Sequence, residues 1–445
     1  MRNQLIDGGN FLKSYWMMGL AILLMMAFST ISVNALEIRG SVATESYTWN
    51  PQNFAGFDYD IDQDVGTETL TTTLTEGNKL SGDAPYGIVY EASNRIKAFS
   101  KAKADMEYGR LSVSTIDPTT GTITLDNKDN AITLSKNKNT EIVPGIFIRT
   151  ADNDTLRYYI YKNITDPGTY EIRGAVASAD SSYTWSPQNF AGFYYDIKKD
   201  LGTEMLTTTL TDGNRLSGDA PCGVTYATVA QSKDFEFAPW RSYKVIGFQS
   251  EQYFAGYIPS DSADGNLLFR ESTDENSLSS EQLEKILVDD DTRMTVKKGE
   301  SIKLEEGYEL FLKGINSDGQ IYLELQKDGK LVDESFLAPS AYGATIYDKT
   351  YFYRANVGSQ KKLVTIAVHF RSTYKDEERA LAVVDGVWQI SDTPIDVRAD
   401  TQYDKMTIRT VDATNGVITM DNKDNAIVLA KKSDIELMPG IHIRT

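Results

Sequence analysis

The chain is poor in the residues that most reacting centres use. Its 445 residues include one cysteine and two histidines. A single Cys222 forms no internal disulfide, so the fold is not cross-linked, and the residue reads as a packed thiol. His369 lies within the apolar run VTIAVHF and His442 close to the C-terminus, and neither has the company of a triad or a zinc site. There is no G-x-S-x-G turn, phosphate-binding loop or H-E-x-x-H helix. Paired carboxylates for sugar hydrolysis stay open, because their separation is spatial rather than sequential. The sequence therefore predicts no catalytic residues and no cofactor.

Positive charge is also scarce. Lys and Arg number 45 against 63 Asp and Glu, a net charge of −18. Nucleic acid is excluded as a partner, since phosphates demand a basic face, and so is anionic lipid. Long hydrophobic runs are confined to Trp16–Phe28, thirteen residues following Arg2 and Lys13. That is short of the ~20 residues needed to cross a bilayer. With Val33 and Ala35 at small-residue positions it reads as a secretory signal peptide over residues 1–35, cleaved after Ala35. The mature chain is then expected to be secreted, with no membrane-spanning segment.

What the sequence has is repetition. YTWNPQNFAGFDYD begins at Tyr47 and YTWSPQNFAGFYYD at Tyr183; residues 47–90 match 183–226 at 33 of 44 positions without a gap. Residues 123–150 match 418–445 at 18 of 28. The matched blocks are separated by 33 steps in the first copy and 192 in the second, so copy one is shorter by 159 residues. Such a difference marks a separable insertion in copy two.

Nearly every segment outside the leader reads as a strand. ETLTTTLT, GRLSVSTI, GTITLDN and RYYIYKNI are short, rich in β-branched and aromatic residues, and bounded by Gly, Asp, Asn and Pro. LELQKDGKLVDE places Asp328-Gly329 at a two-residue hairpin turn, and STIDPTTGTITL recurs as IRTVDATNGVITM. One helix is expected over Ser280–Val288, from a capping box at Ser279 and Gln282 and an apolar stripe of Leu283, Ile286 and Leu287. The fold class is all-β, tandem β-sandwich subdomains with that short helix in the insert. Residues 36–150 form a single sandwich and 151–169 a linker. Residues 170–445 form a full copy, a discontinuous sandwich of 170–248 plus 391–445 around an inserted sandwich, 249–390.

Four motifs invite a functional reading. Asp58, Asp60, Asp62 and Asp64 alternate as the ligands of a divalent cation would, and on a strand they would share one face. In copy two Asp58 becomes Tyr194 and Asp62 becomes Lys198, which favours a solvated acidic face. DNKDNAI, at Asp126 and Asp421, reads as a tight polar turn. Trp49 and Trp185 could stack on sugars or fill a sandwich corner, and the corner is favoured. Asn153 and Asn163 head sequons and are glycosylation candidates.

The motifs YTWNPQNFAGFDYDI, LSGDAPYGI, LEEGYELFLKGI, LELQKDGKLVD and PGTYEIRG make the chain resemble the S-layer proteins of methanosarcinal archaea, built on a tandem S-layer duplication domain. The resemblance covers nearly all of the expected mature chain. It implies paired β-sandwich units that tile a porous surface coat, without catalytic residues, with other S-layer tiles or the chain itself as lateral partners. Two departures stand out: the shortened first copy, and the missing acidic tether and C-terminal membrane helix. The expected function is a non-enzymatic structural or accessory component of that coat. The alternatives are a secreted glycan-binding module or adhesin and, more distantly, a secreted glycan hydrolase.

Overall fold

In a computed structural model of the chain, the described residues are 36–93, 102–166, 168–178, 182–211, 213–258, 277–377 and 379–445. The leader expected over residues 1–35 lies outside them. Antiparallel strands dominate; among the described residues, helical geometry is limited to the 3-10 turns Ala238–Trp240, Ser277–Ser280 and Tyr347–Lys349. The all-β expectation holds.

Copy one is built mainly from two sheets over one core. The larger runs, in spatial order, through Tyr47–Trp49, Glu68–Thr72, Ile88–Ala92, Thr122–Asp126, Leu111–Asp117 and Glu107–Tyr108. The smaller runs through Leu36–Arg39, Tyr158–Ile164, Ile146–Thr150 and Asn139–Val143. Alternate residues turn inward, as a pleated strand requires. Trp49, Phe54, Leu70, Ile88, Tyr158 and Ile160 are completely buried in that shared core.

The strand Tyr158–Ile164 corrects the expectation of a linker over 151–169. It is an interior strand, pairing Leu36 with Ile164 on one side and Ile148 with Ile160 on the other. Tyr158 and Ile160 enter the core of copy one, whereas Tyr159 and Tyr161 pack outward with Ile197 and Tyr195 of copy two. Burial on both faces explains its unbroken YYIY run.

Copy two repeats the larger sheet in the same register. Tyr90 faces Leu125 in copy one, and the equivalent Tyr226 faces Met420 in copy two, across the inserted residues. The insert's sheet begins at Gln231, earlier than the boundary at 249 read from the sequence. The reason is pairing: Ser242–Phe248 belongs with Gln231–Asp234 and Glu251–Tyr257, while its Ile246 and Phe248 side chains close the core of copy two. A further core lies within the insert around Leu310, Leu312, Leu323 and Ile366. Its hairpin closes at Lys327 and Lys330 around Asp328-Gly329, both residues at positive φ, as the expected turn demands.

The helix expected over Ser280–Val288 is absent. Ser277–Ser280 makes one 3-10 turn, Glu281 ends it at φ 53°, and Gln282–Asp290 is a strand. Nine residues hold a helix only weakly in water. Here Tyr253 and Phe254 pair on one side and Ile390 and Gln389 on the other, so long-range backbone pairing outweighs local capping.

Candidate functional site: the face shared by the two copies

The repeated motif builds a sandwich corner. The Trp49 indole N–H donates to the Ser41 carbonyl at 2.8 Å, and that of Trp185 to the Ala175 carbonyl at 2.7 Å. Asn53 and Asn189 clamp the turn by accepting from the N–H of Asn50 and Ser186 at 2.8 and 2.7 Å. The next residues fold the chain over its own phenylalanine. A Cβ on Gly56 or Gly192 would lie 2.3 Å from the ring of Phe54 or Phe190, so only glycine fits.

The acidic string lies on a hairpin rather than on one long strand, which corrects the expectation of a single shared face. Tyr59–Asp60 pairs with Val65–Gly66 around a four-residue turn. Asp60 Oδ1 accepts the N–H groups of Asp62 and Gln63 at 3.0 and 3.2 Å, and Asp64 accepts from the Tyr59 hydroxyl at 2.7 Å. Copy two keeps these two roles in Asp196 and Asp200. Of the positions that change, Tyr194 packs against the core of the insert beside Phe235, whereas the Lys198 carbonyl accepts from Arg157 at 3.0 Å. Asp62 itself pairs with Lys432 at 3.1 Å. Among the described residues, no three acidic, histidine or cysteine side chains converge as a cation's ligands would.

The two corners face each other about a local two-fold. Arg39 donates to the Pro187 carbonyl at 2.5 Å and lies 5.0 Å from the ring centre of Tyr195. Arg173 donates to the Pro51 carbonyl at 2.5 Å and lies 5.1 Å from that of Tyr59. The Val42 N–H meets the Gln188 carbonyl at 2.8 Å, and the Val176 N–H meets that of Gln52 at 2.8 Å. Each of these contacts is answered by its counterpart, as in an isologous interface. Burial lowers the pKa of both guanidiniums from their ordinary value. Burial, then the bonded Asp200, raises the Tyr195 phenol well above its usual range.

The family description "S-layer protein" matches residues 39–106 and 175–445. The chain belongs to the S-layer protein family. Similar curated proteins, each named "Major S-layer protein", come from Methanosarcina acetivorans, 31% identical over 351 residues, and Methanosarcina mazei, 30% identical over 352. These alignments cover 76% and 77% of this chain and 48% of each relative, so the chain spans about half the length of those proteins.

His369 is buried, its Nδ1 2.6 Å from Asp385 and its ring stacked on Phe237 at 4.4 Å. Burial lowers its pKa against the opposing pull of Asp385. His442 is exposed beside Asp434 at 2.9 Å. Cys222 is half-buried rather than fully packed, and burial raises its thiol pKa. The DNKDNAI turn holds as expected: buried Asn127 and Asn422 each accept a strand N–H, from Ile88 and Val224, at 2.9 Å. Asn153 and Asn163 are both exposed. The sequence pointed to the Trp and Asp residues and passed over Arg39 and Arg173, although LEIRG and YEIRG carried the signal.

Proposed function

We propose that the protein is a non-enzymatic structural component of a cell-surface layer, exported by cleavage after Ala35 and held in place by lateral contacts with neighbouring tiles. Family membership carries this reading, and the reciprocal face between the copies supports it. A surface element gains area by pairing similar sandwiches, and its repeated motifs then serve geometry instead of two active sites. The exposed sequons at Asn153 and Asn163 carry glycans on that surface, and no resident metal or cofactor is needed.

The buried Trp49 offers no stacking face to a sugar, whereas Trp185 is part-exposed, so the adhesin alternative rests on Trp185 alone. Fractionating native envelopes tests the proposal. The protein should sediment with the surface layer and be released by high salt or chelator wash. Recovery only from the medium, with binding to a defined oligosaccharide, would favour the adhesin. Turnover of a glycan abolished by one carboxylate substitution would favour the hydrolase.

A further inference from the structure

The insert's largest sheet starts at the strand Gln231–Asp234, which pairs with Ser242–Phe248 and sets Lys233 directly opposite Tyr243. Two strands further across the sheet, Gln282–Asp290 brings Asp289 to the same place. The Lys233 ammonium lies 3.7 Å from Asp289 Oδ2, and the two side chains are only 10% and 5% exposed. In Lys327–Asp392, by contrast, the exposures are 32% and 19%. At 3.7 Å the two groups touch without a hydrogen bond between them. Burying two full charges is costly, and such a contact repays it poorly.

Both Asp289 oxygens have a donor. Oδ1 accepts the Glu236 N–H at 2.9 Å, and Oδ2 accepts the Tyr243 hydroxyl at 3.0 Å. Tyr243 is completely buried, its ring 4.6 Å from that of Phe235 and 4.8 Å from that of Trp388. Burial raises the Asp289 carboxyl above its ordinary value, against the pull of the Glu236 N–H and of Lys233. Such surroundings favour passing a proton from the ammonium to the carboxylate, which leaves a free amine against a neutral acid.

We propose that Lys233 and Asp289 join in an amide bond within the folded chain, an internal cross-link formed once per molecule. The Nζ lone pair attacks Cγ while the Glu236 N–H holds Oδ1, where negative charge develops. Nζ–Cγ is the bond that forms, and Cγ–Oδ2 is the bond that breaks. One ammonium proton reaches Oδ2 before the attack. A second follows through the Tyr243 hydroxyl, which gives its own proton to Oδ2 and takes one from Nζ. Oδ2 then leaves as water, Oδ1 stays as the amide carbonyl, and the third proton stays on the amide nitrogen. Nothing is oxidised or reduced, and no co-reactant is consumed. Fixed contact between amine and acid supplies the effective concentration that condensation in water lacks. The link would pin Gln231–Asp234 where the insert leaves copy two, in a chain whose single Cys222 is free. It does not depend on where the protein resides, so it can fail while the envelope assignment stands.

Mass spectrometry of the folded full chain tests this. A tryptic digest should leave the chain uncut after Lys233 and yield one branched species, the Lys233 and Asp289 peptides joined, lighter than their sum by one water. Lys233→Arg, whose guanidinium is not a nucleophile, and Asp289→Ala should both give linear peptides. In denaturing electrophoresis the parent should migrate faster than either variant, because its closed loop stays compact. Cleavage after Lys233 in the parent, with both peptides at their linear masses, would overturn the proposal whether or not the variants fold. So would a branched species that persists in Lys233→Arg.

Discussion

Arg39 of copy one donates to the carbonyl of Pro187 in copy two, at 2.5 Å, with its guanidinium above Tyr195. The side chain is nine-tenths buried, so its charge is tolerated only because these groups receive it. Arg39→Ala should cost about 2–3 kcal/mol in denaturant unfolding, the range for a buried charged hydrogen bond. Arg39→Lys should recover little, because a single ammonium cannot both stack on the ring and fork to the carbonyl. Full recovery by Lys would mean that charge alone matters there.

The acidic hairpin predicts unequal effects from similar residues. Asp60→Ala and Asp64→Ala each remove turn-holding bonds and should destabilise by about 1 kcal/mol. Asp62→Asn breaks only the exposed pair with Lys432 and should stay within about 0.5 kcal/mol of the parent. Equal losses at all three positions, or a melting temperature that rises with calcium and falls with chelator, would restore the cation reading.

Copy one should fold alone only when it keeps the strand Tyr158–Ile164. Residues 36–166 contain Tyr158, whose hydroxyl meets Thr72 at 2.9 Å and the Glu45 carbonyl at 2.6 Å. Residues 36–150 do not. Circular dichroism and thermal melting should show a cooperative transition for the longer piece and none for the shorter. A cooperative melt of 36–150 would show that the interior strand is dispensable.

Acid should stabilise the protein in one window. Burial raises the Glu204 and Glu284 carboxyls from 4.5 to about 7. Between those values the folded chain holds protons that the unfolded chain has lost, so stability is greatest near the lower value and falls as pH rises to about 7. Each group contributes up to about 3 kcal/mol of that fall. Melting temperature should drop from pH 5 to pH 8, and Glu284→Gln should flatten the drop while keeping a bond to Gln360. An unchanged slope in that variant would exclude Glu284 as a source.

Much of the fold was legible because its signals are local. Asp328-Gly329 needs left-handed backbone, and DNKDNAI carries its own hydrogen-bonding side chains, so both turns could be read from neighbours in sequence. The segment around Leu283 misled for the opposite reason: its capping residues argue locally for a helix, while its partners Phe254 and Ile390 lie about 30 and 100 residues away. RYYIYKNI was legible as a strand but not as the interior strand of a sheet, since its neighbours at Leu36 and Ile146 are invisible to local pattern. The reciprocal arginines were missed because a guanidinium bound to carbonyls leaves no acidic partner to find.

The local two-fold has a kinetic consequence. Its halves are held by one short stretch of backbone, so they meet at an effective concentration in the millimolar range whatever the dilution. That contact is complete as soon as a single molecule folds. Growth of any array then depends on concentration only through the outward-facing surfaces, which lowers by one the number of encounters needed to enlarge it.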